Sequence, residues 1–315
     1  MAGILFIKTS SLGDVIHHMP ALSEARRQRP DARFVWVVEE AYAPLVRLHP
    51  AVGDVLPVAW RRWLGQIHSP ATWQQIAAAD RVLRLRQYDA VIDTQGLLKS
   101  ALIASRARGR KHGYDSASIK EKAASAFYDV RHTVSRDLHA IERNRILTAL
   151  SLGYQPHGAP HYGIDRESLR TGGERYAVLL HGTARPEKEW PLAAWTELGR
   201  SLKRHDLDLV LPWGNDAEFT RAGQIAAALP RARVADRMPL DGVARLIAGA
   251  EFVVGVDTGL LHLAAALSVP LVAIFGGSEP RLTGPVGAGL LEVVGAKGAM
   301  PSAIEVVAAL GRITA

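Results

Sequence analysis

The chain has 315 residues, 48% hydrophobic and 22% charged, with a net charge of +7 and no cysteine. That length suits two domains, and the composition is that of a soluble globular chain rather than a disordered or fibrous one. Without cysteine there are no disulfides, thiolate metal sites or cysteine nucleophiles, which agrees with a reducing cytoplasm. Lys8 interrupts the first apolar run too early for a signal peptide, and the longest apolar stretch, residues 263–275, is too short to span a bilayer.

In chain order, Ile4-Leu5-Phe6-Ile7 is expected as a short buried strand. It runs into Lys8-Thr9-Ser10-Ser11-Leu12-Gly13-Asp14, and an amphipathic helix follows with Val15, Ile16, Met19 and Leu22 on its apolar face. A strand, a tight turn and a helix N-terminus bring backbone N–H groups and one carboxylate together, at the kind of position where open α/β sheets bind ligands. From spacing alone Asp14 reads two ways, as a functional carboxylate or as a helix cap. Further strands are expected at 33–38, 54–59 and 88–93, with a long helix between the last two carrying Trp73, Ile76, Val82 and Leu83 on its apolar positions. Helices at 97–107 and 139–152 follow, and the Gly- and Pro-containing stretch 153–163 reads as a linker.

The second half restarts the alternation. Strands are expected at 176–180, 207–211, 252–256 and 271–275, separated by helices near 192–204, 217–229, 241–248 and 259–267. Alternating strands and helices imply parallel sheets with right-handed crossovers, hence two doubly wound domains with a cleft between them. Charge is uneven between the halves. Residues 1–155 hold 22 Lys and Arg against 14 Asp and Glu, whereas residues 156–315 hold 16 against 17. The basic first half suggests an anionic partner, whether nucleic acid, a membrane surface or an acidic substrate, with a solvated surface of scattered charges as the alternative.

Two segments of the second half carry chemistry. His181-Gly182-Thr183-Ala184-Arg185-Pro186-Glu187-Lys188 follows a strand and offers a glycine, a hydroxyl and a cation, either as an anion cradle or as a surface loop. Asp257-Thr258-Gly259-Leu260-Leu261-His262 follows another strand and opens a helix whose N-terminus favours phosphate, with Asp257 as a cap. Thr258 and His262 share one helical face, and the imidazole suits either a phosphate or a packed core. Asp206-Leu207-Asp208 imitates a metal-binding DxD, but it lies where a strand begins and reads as solvated turn. There is no GxGxxG, no GxxxxGK[ST] and no GxSxG, and His17-His18 has no metal-ligand spacing, so no metal site is expected.

Lys8 to Asp14 continued by Val15-Ile16-His17-His18-Met19-Pro20-Ala21, together with Val256 to Leu263, resembles the lipopolysaccharide heptosyltransferases across essentially the whole chain. Trp36-Val37-Val38-Glu39-Glu40, Arg61-Arg62-Trp63, Asp93 to Ser100 and Leu211-Pro212-Trp213-Gly214 carry the resemblance further, and the opening Lys-Thr-Ser-Ser-x-Gly-Asp is that of the type I branch. The resemblance implies a GT-B fold: two doubly wound, Rossmann-like α/β domains facing a central cleft. Residues 1–155 would form the acceptor-binding domain with the catalytic base, and 165–315 the ADP-heptose-binding domain. It implies inverting transfer of L-glycero-D-manno-heptose from ADP-heptose to a Kdo residue of Kdo-lipid A, with no metal and no cofactor. The type II enzyme, or another core glycosyltransferase, is the alternative, and a non-enzymatic nucleotide- or nucleic-acid-binding protein is the remote one.

By the same resemblance Asp14 is the catalytic base. Thr183, Lys188, Glu218, Asp257, Thr258, Gly259 and His262 fall on donor positions, and Thr9, Ser10, Ser11, Gly13, Arg61, Arg62 and Lys120 on acceptor positions. Ala184 stands where a second Thr is frequent, and Lys120 where Arg is frequent, which replaces a bidentate fork with a point charge. Because the acceptor is anionic and membrane-borne, the implied location is the cytoplasm of a Gram-negative bacterium, peripherally on the inner membrane. Arg106, Arg108, Arg110, Lys111 and Lys122 would join the docking surface. Nucleic acid is not an expected partner: the charge suits it, but the acidic and hydroxylated turns do not.

Overall fold

The computed structural model describes residues 3–183, 185–202 and 206–314. Ala184 and Arg204, the latter closing the helix expected at 192–204, lie outside the described residues. The chain divides into two compact units, Met1–Gly163 and Ile164–Ala315.

In the first unit the strands are β1 (Gly3–Ile7), β2 (Arg33–Glu39), β3 (Val52–Val58), β4 (Gln87–Asp93), β5 (Arg108–Tyr114) and β6 (Val130–His132). They form one parallel sheet of order β3-β2-β1-β4-β5-β6. The helix Leu12–Gln28 is expected from its periodicity, and Val15, Ile16, Met19 and Leu22 are fully buried. Burial of each such side chain contributes about 1.5–3 kcal/mol. It packs against the helix Ala140–Leu152.

Three features of this unit differ from the sequence expectation. The region between β3 and β4 is two helices, Trp60–Gly65 and Pro70–Leu85, and the second buries only Thr72 and Leu83. Trp73 and Val82, expected inside, are exposed. Strand β5, Arg-Gly-Arg-Lys-His-Gly-Tyr, has no apolar run to announce it; backbone pairing to β4 holds it in the sheet. Finally, the stretch expected as a linker is bound to this unit. Arg145, itself paired at 3.0 Å with buried Glu24, donates to the carbonyls of His157 and Gly158, and Glu24 accepts from His157 N. Gly163 has φ +77°, and a Cβ there would lie 2.4 Å from His49 Nε2.

The second unit repeats the architecture. Its strands are β7 (Tyr176–Leu180), β8 (Asp208–Leu211), β9 (Ala232–Val234), β10 (Val253–Val256), β11 (Leu271–Ile274) and β12 (Leu291–Val294). Their order, β12-β11-β10-β7-β8-β9, is the first sheet's order repeated. Trp190 and Trp195 meet edge-on, 5.0 Å between centroids, within the core on one face. In both sheets the crossovers reverse direction between the first and fourth strands of the unit, so each unit has one topological switch point where loops part and leave room for a ligand.

Candidate active site

In the first unit the switch point lies between β1 and β4, and the segment Lys8–Asp14 leaves from it. Lys8 is buried there. Its Nζ donates to Thr94 O at 2.8 Å and to Asn144 Oδ1 at 3.4 Å. Burial lowers its pKa against the opposing pull of Asp14 and Asp93. The loop after β4 is set by Asp93, whose Oδ1 accepts from Gln95 N and Gly96 N and whose Oδ2 accepts from Tyr128 O–H at 2.8 Å. Burial raises the Asp93 pKa; the Tyr128 hydrogen bond opposes the rise. Gly113 makes room for that tyrosine, because a Cβ at 113 would sit 2.2 Å from its ring.

Thr9 and Ser10 are buried by this framework: Ser10 N donates to Gln95 Oε1, and Lys99 Nζ donates to Ser10 Oγ at 2.8 Å. Ser11, Gly13 and Asp14 form the more open part of the turn. Asp14 is not the helix cap. Ser11 is the N-cap and Asp14 is the third helical residue, its Oδ2 accepting from Ser11 N at 2.9 Å and Ser11 Oγ at 3.0 Å. This is a capping box, which engages one carboxylate oxygen and leaves Oδ1 for other chemistry.

Arg61 and Arg62 lie on the helix after β3, and Lys120 on the turn after β5, so all three follow the carboxyl ends of strands, as Asp14 does. Arg62 is held bidentate by Glu40 at 2.9 Å and by Gln75. Lys99, not singled out from the sequence, joins this set. Burial lowers its pKa, Glu39 and Asp14 oppose the shift, and Arg61 adds to it. The basic residues expected on one docking surface are divided. Arg106 and Arg108 sit at the amino end of β5, with Arg106 paired to Asp80, whereas Arg61, Arg62, Lys120 and Lys122 sit at the carboxyl ends of strands.

In the second unit the switch point lies between β7 and β10, and the two expected motifs leave from those strands. Thr183 Oγ1 donates to Asp257 O at 3.1 Å, and Lys188 Nζ stands 2.5 Å from Asp257 Oδ2. Thr258, rather than Asp257, is the N-cap of the helix Gly259–Ala266; His262 is buried on it. Lys188 is therefore not a lone cation but half of an ion pair beside a helix N-terminus. Glu218 lies in the first turn of the helix Asp216–Ala227, accepts from Gly214 N at 2.7 Å and leans over Gly182, where a Cβ would be 2.7 Å from its carboxyl carbon. His181, fully buried beside them, is held near pKa 4 by burial, so it is neutral. Ser278, in the turn after β11, also donates to Asp257 Oδ2. Sequence reading missed it because Gly276-Gly277-Ser278 has the composition of any turn. Asp206 and Asp208 pair with Arg231 at the amino end of β8, away from the ligand end, as their position in the sequence suggests. Among the described residues no group of three or more His, Asp or Glu converges to hold a metal ion.

Residues 76–306 match the model of glycosyltransferase family 9 (heptosyltransferase). Lipopolysaccharide heptosyltransferase 1 of Escherichia coli K12 is 44% identical over 90% of this chain and 91% of its own length. The Pseudomonas aeruginosa enzyme of the same name is 46% identical over 90% and 81%. Lipopolysaccharide heptosyltransferase 2 of E. coli K12 is less similar, at 36% over 90% of this chain and 85% of its own. The E. coli heptosyltransferase WaaC, solved with ADP, superposes with a TM-score of 0.93 at 41% identity, covering 98% of this chain and 99% of that one; it has also been solved with ADP-2-deoxy-2-fluoro heptose. The two doubly wound units are those of the GT-B architecture, and the chain belongs to glycosyltransferase family 9, the heptosyltransferases.

Proposed function

We propose that the chain transfers L-glycero-D-manno-heptose from ADP-heptose to a Kdo residue of Kdo-lipid A, with inversion and without a metal ion, in lipopolysaccharide core synthesis. The observation that carries this reading is the pairing of Thr183 and Lys188 with Asp257 at the second switch point, beside the N-terminus of the helix Gly259–Ala266. A cation, a hydroxyl and a helix N-terminus provide fixed positive potential where the leaving ADP gathers charge. Glu218 serves the nucleoside part of the donor, and Gly259, Thr258 and His262 complete the phosphate side.

On the first unit, Asp14 acts as general base toward the attacking hydroxyl. The base works late in the reaction, when the hydroxyl becomes acidic by attacking an oxocarbenium-like carbon. Arg61, Arg62 and Lys120 meet the acceptor's carboxylates and phosphates, with Ser11 and Gly13 shaping the turn between them. Thr9 and Ser10 contribute by holding that turn. The cations at the carboxyl ends of the strands also suit the anionic cytoplasmic face of the inner membrane, where each basic residue near the surface contributes about 1 kcal/mol. No helix among the described residues is long and apolar enough to cross a membrane, so the association proposed is peripheral.

The direct test is to incubate the protein with ADP-heptose and Kdo-lipid A and weigh the products. Addition of a single heptose to the Kdo-lipid A acceptor supports the reading. Transfer only to an acceptor that already carries heptose would replace it with the type II activity, and no transfer to either would refute it.

A further inference from the structure

Asp257 Oδ2 carries two hydrogen bonds at once, one from Lys188 Nζ and one from Ser278 Oγ. Ser278 reaches it from the turn after β11, a third strand end, while Lys188 comes from the loop after β7 and Asp257 from the end of β10. That turn is pressed against the lysine. A Cβ on Gly277 would lie 2.7 Å from Glu187 O and 2.9 Å from Lys188 Cγ, so only glycine allows this approach. The side chains of Lys188 and Asp257 are 18% and 12% exposed, shielded enough for their electrostatics to matter and open enough for a ligand to reach.

We propose that Ser278 is a positioning residue for the donor's diphosphate, acting through Asp257 on Lys188; this rests on the assignment of Lys188 to the donor. An ammonium has three N–H donors, and Asp257 takes one. The other two serve a diphosphate only while Asp257 does not claim the lysine's whole charge. The Ser278 hydroxyl meets part of the carboxylate's demand. Without that hydroxyl, Asp257 leans on Lys188 alone, which leaves less of the lysine's charge for the diphosphate and weakens the donor.

The test uses the full-length protein with ADP as the calorimetric probe, plus steady-state kinetics with ADP-heptose and acceptor. Ser278→Ala should weaken ADP about tenfold, the scale of one partly screened charge-assisted hydrogen bond. It should raise KM for ADP-heptose while leaving KM for the acceptor and the melting temperature unchanged. Ser278→Thr, which keeps the hydroxyl, should restore ADP affinity. In a Lys188→Ala background the Ser278→Ala penalty should shrink toward nothing. Parental ADP affinity in Ser278→Ala beside a weakened Lys188→Ala overturns this proposal and spares the donor assignment. Parental affinity in both overturns the assignment and the proposal with it. A Ser278→Ala penalty that persists in full without Lys188 overturns the route through Asp257, as does an equal rise in both KM values.

Discussion

Asp14→Asn separates chemistry from capping. Asp14 Oδ2 accepts from Ser11 N and Ser11 Oγ in the first turn of Leu12–Gln28, and an asparagine carbonyl oxygen can accept from both groups in the same place. What disappears is the negative charge near the helix N-terminus, whose interaction with the macrodipole is about 0.3–1 kcal/mol. Replacing charged acceptors by neutral ones adds a similar amount, for a total near 1 kcal/mol. For a unit of this size that lowers the melting temperature by about 2–4 °C. Proton acceptance at Oδ1 is lost altogether, and general base catalysis contributes about 10²–10⁴-fold, so turnover should fall at least a hundredfold. ADP affinity should stay parental, because every residue assigned to the donor lies in the other unit. The assay is initial rate at saturating substrates, with an ADP titration and a melting curve on the same sample. Turnover within about fivefold of the parent, with the small melting shift present, would refute the base assignment and leave Asp14 as a member of a capping box.

Lys188→Ala should weaken ADP by about 1.5–3 kcal/mol; because it also bares Asp257, Lys188→Ala/Asp257→Asn should recover part of the loss, and a double variant no better than the single would contradict the pairing seen here. Lys8→Met should lower the melting temperature by an amount corresponding to about 1–3 kcal/mol, since it strands Thr94 O and Asn144 Oδ1 in a buried site, while ADP binding holds; a parental melting curve would count against Lys8 as the tie between β1 and β4. Heptose transfer should continue in EDTA, and loss of activity restored by magnesium or manganese would exclude the metal-free reading. Binding to anionic vesicles should fall steeply with salt, because screening acts over roughly 10 Å at 0.1 M; equal binding to neutral vesicles at low salt would refute electrostatic docking.

What the sequence discloses follows from where information is local. Buried strands such as Ile4–Ile7 and Phe252–Val256 announce themselves as apolar runs, and the segments after them carry unusual hydroxyl and acid content, so both switch-point motifs were legible. Edge and near-edge strands are a different matter. Strand β5 is basic, and β6 and β9 are three residues each, so their placement depends on a neighbour's backbone rather than on their own side chains. The stretch 153–163 misleads for the same reason: its composition is that of a linker, but it is fastened by Arg145, just before it in sequence, and by Glu24, 133 residues from His157. Asp14 and Asp257 lie at the helix starts where their spacing puts them, yet the N-cap positions belong to Ser11 and Thr258. The Lys188–Asp257 pair was hidden, because a sequence shows a charge but not its partner 69 residues away.

The repeated strand order explains why two unrelated motifs occupy equivalent places, and it also shows how they differ. At each switch point the loops diverge, and something must tie the first strand's loop to the fourth's. In the first unit the tie is Lys8, buried among neutral acceptors. A cation removed from water and satisfied by carbonyl oxygens is costly to move, so this tie fixes the turn that presents Asp14. In the second unit the tie is Lys188 on a carboxylate, partly exposed, with a hydroxyl competing for the same oxygen. An anionic ligand arriving beside this pair would compete with Asp257 for the ammonium. The same topological position thus carries a buried lysine among carbonyl oxygens in one unit and a partly shielded ion pair in the other. On the proposed assignments, the first suits a general base that must keep its position, and the second a diphosphate that must be bound and then released as product.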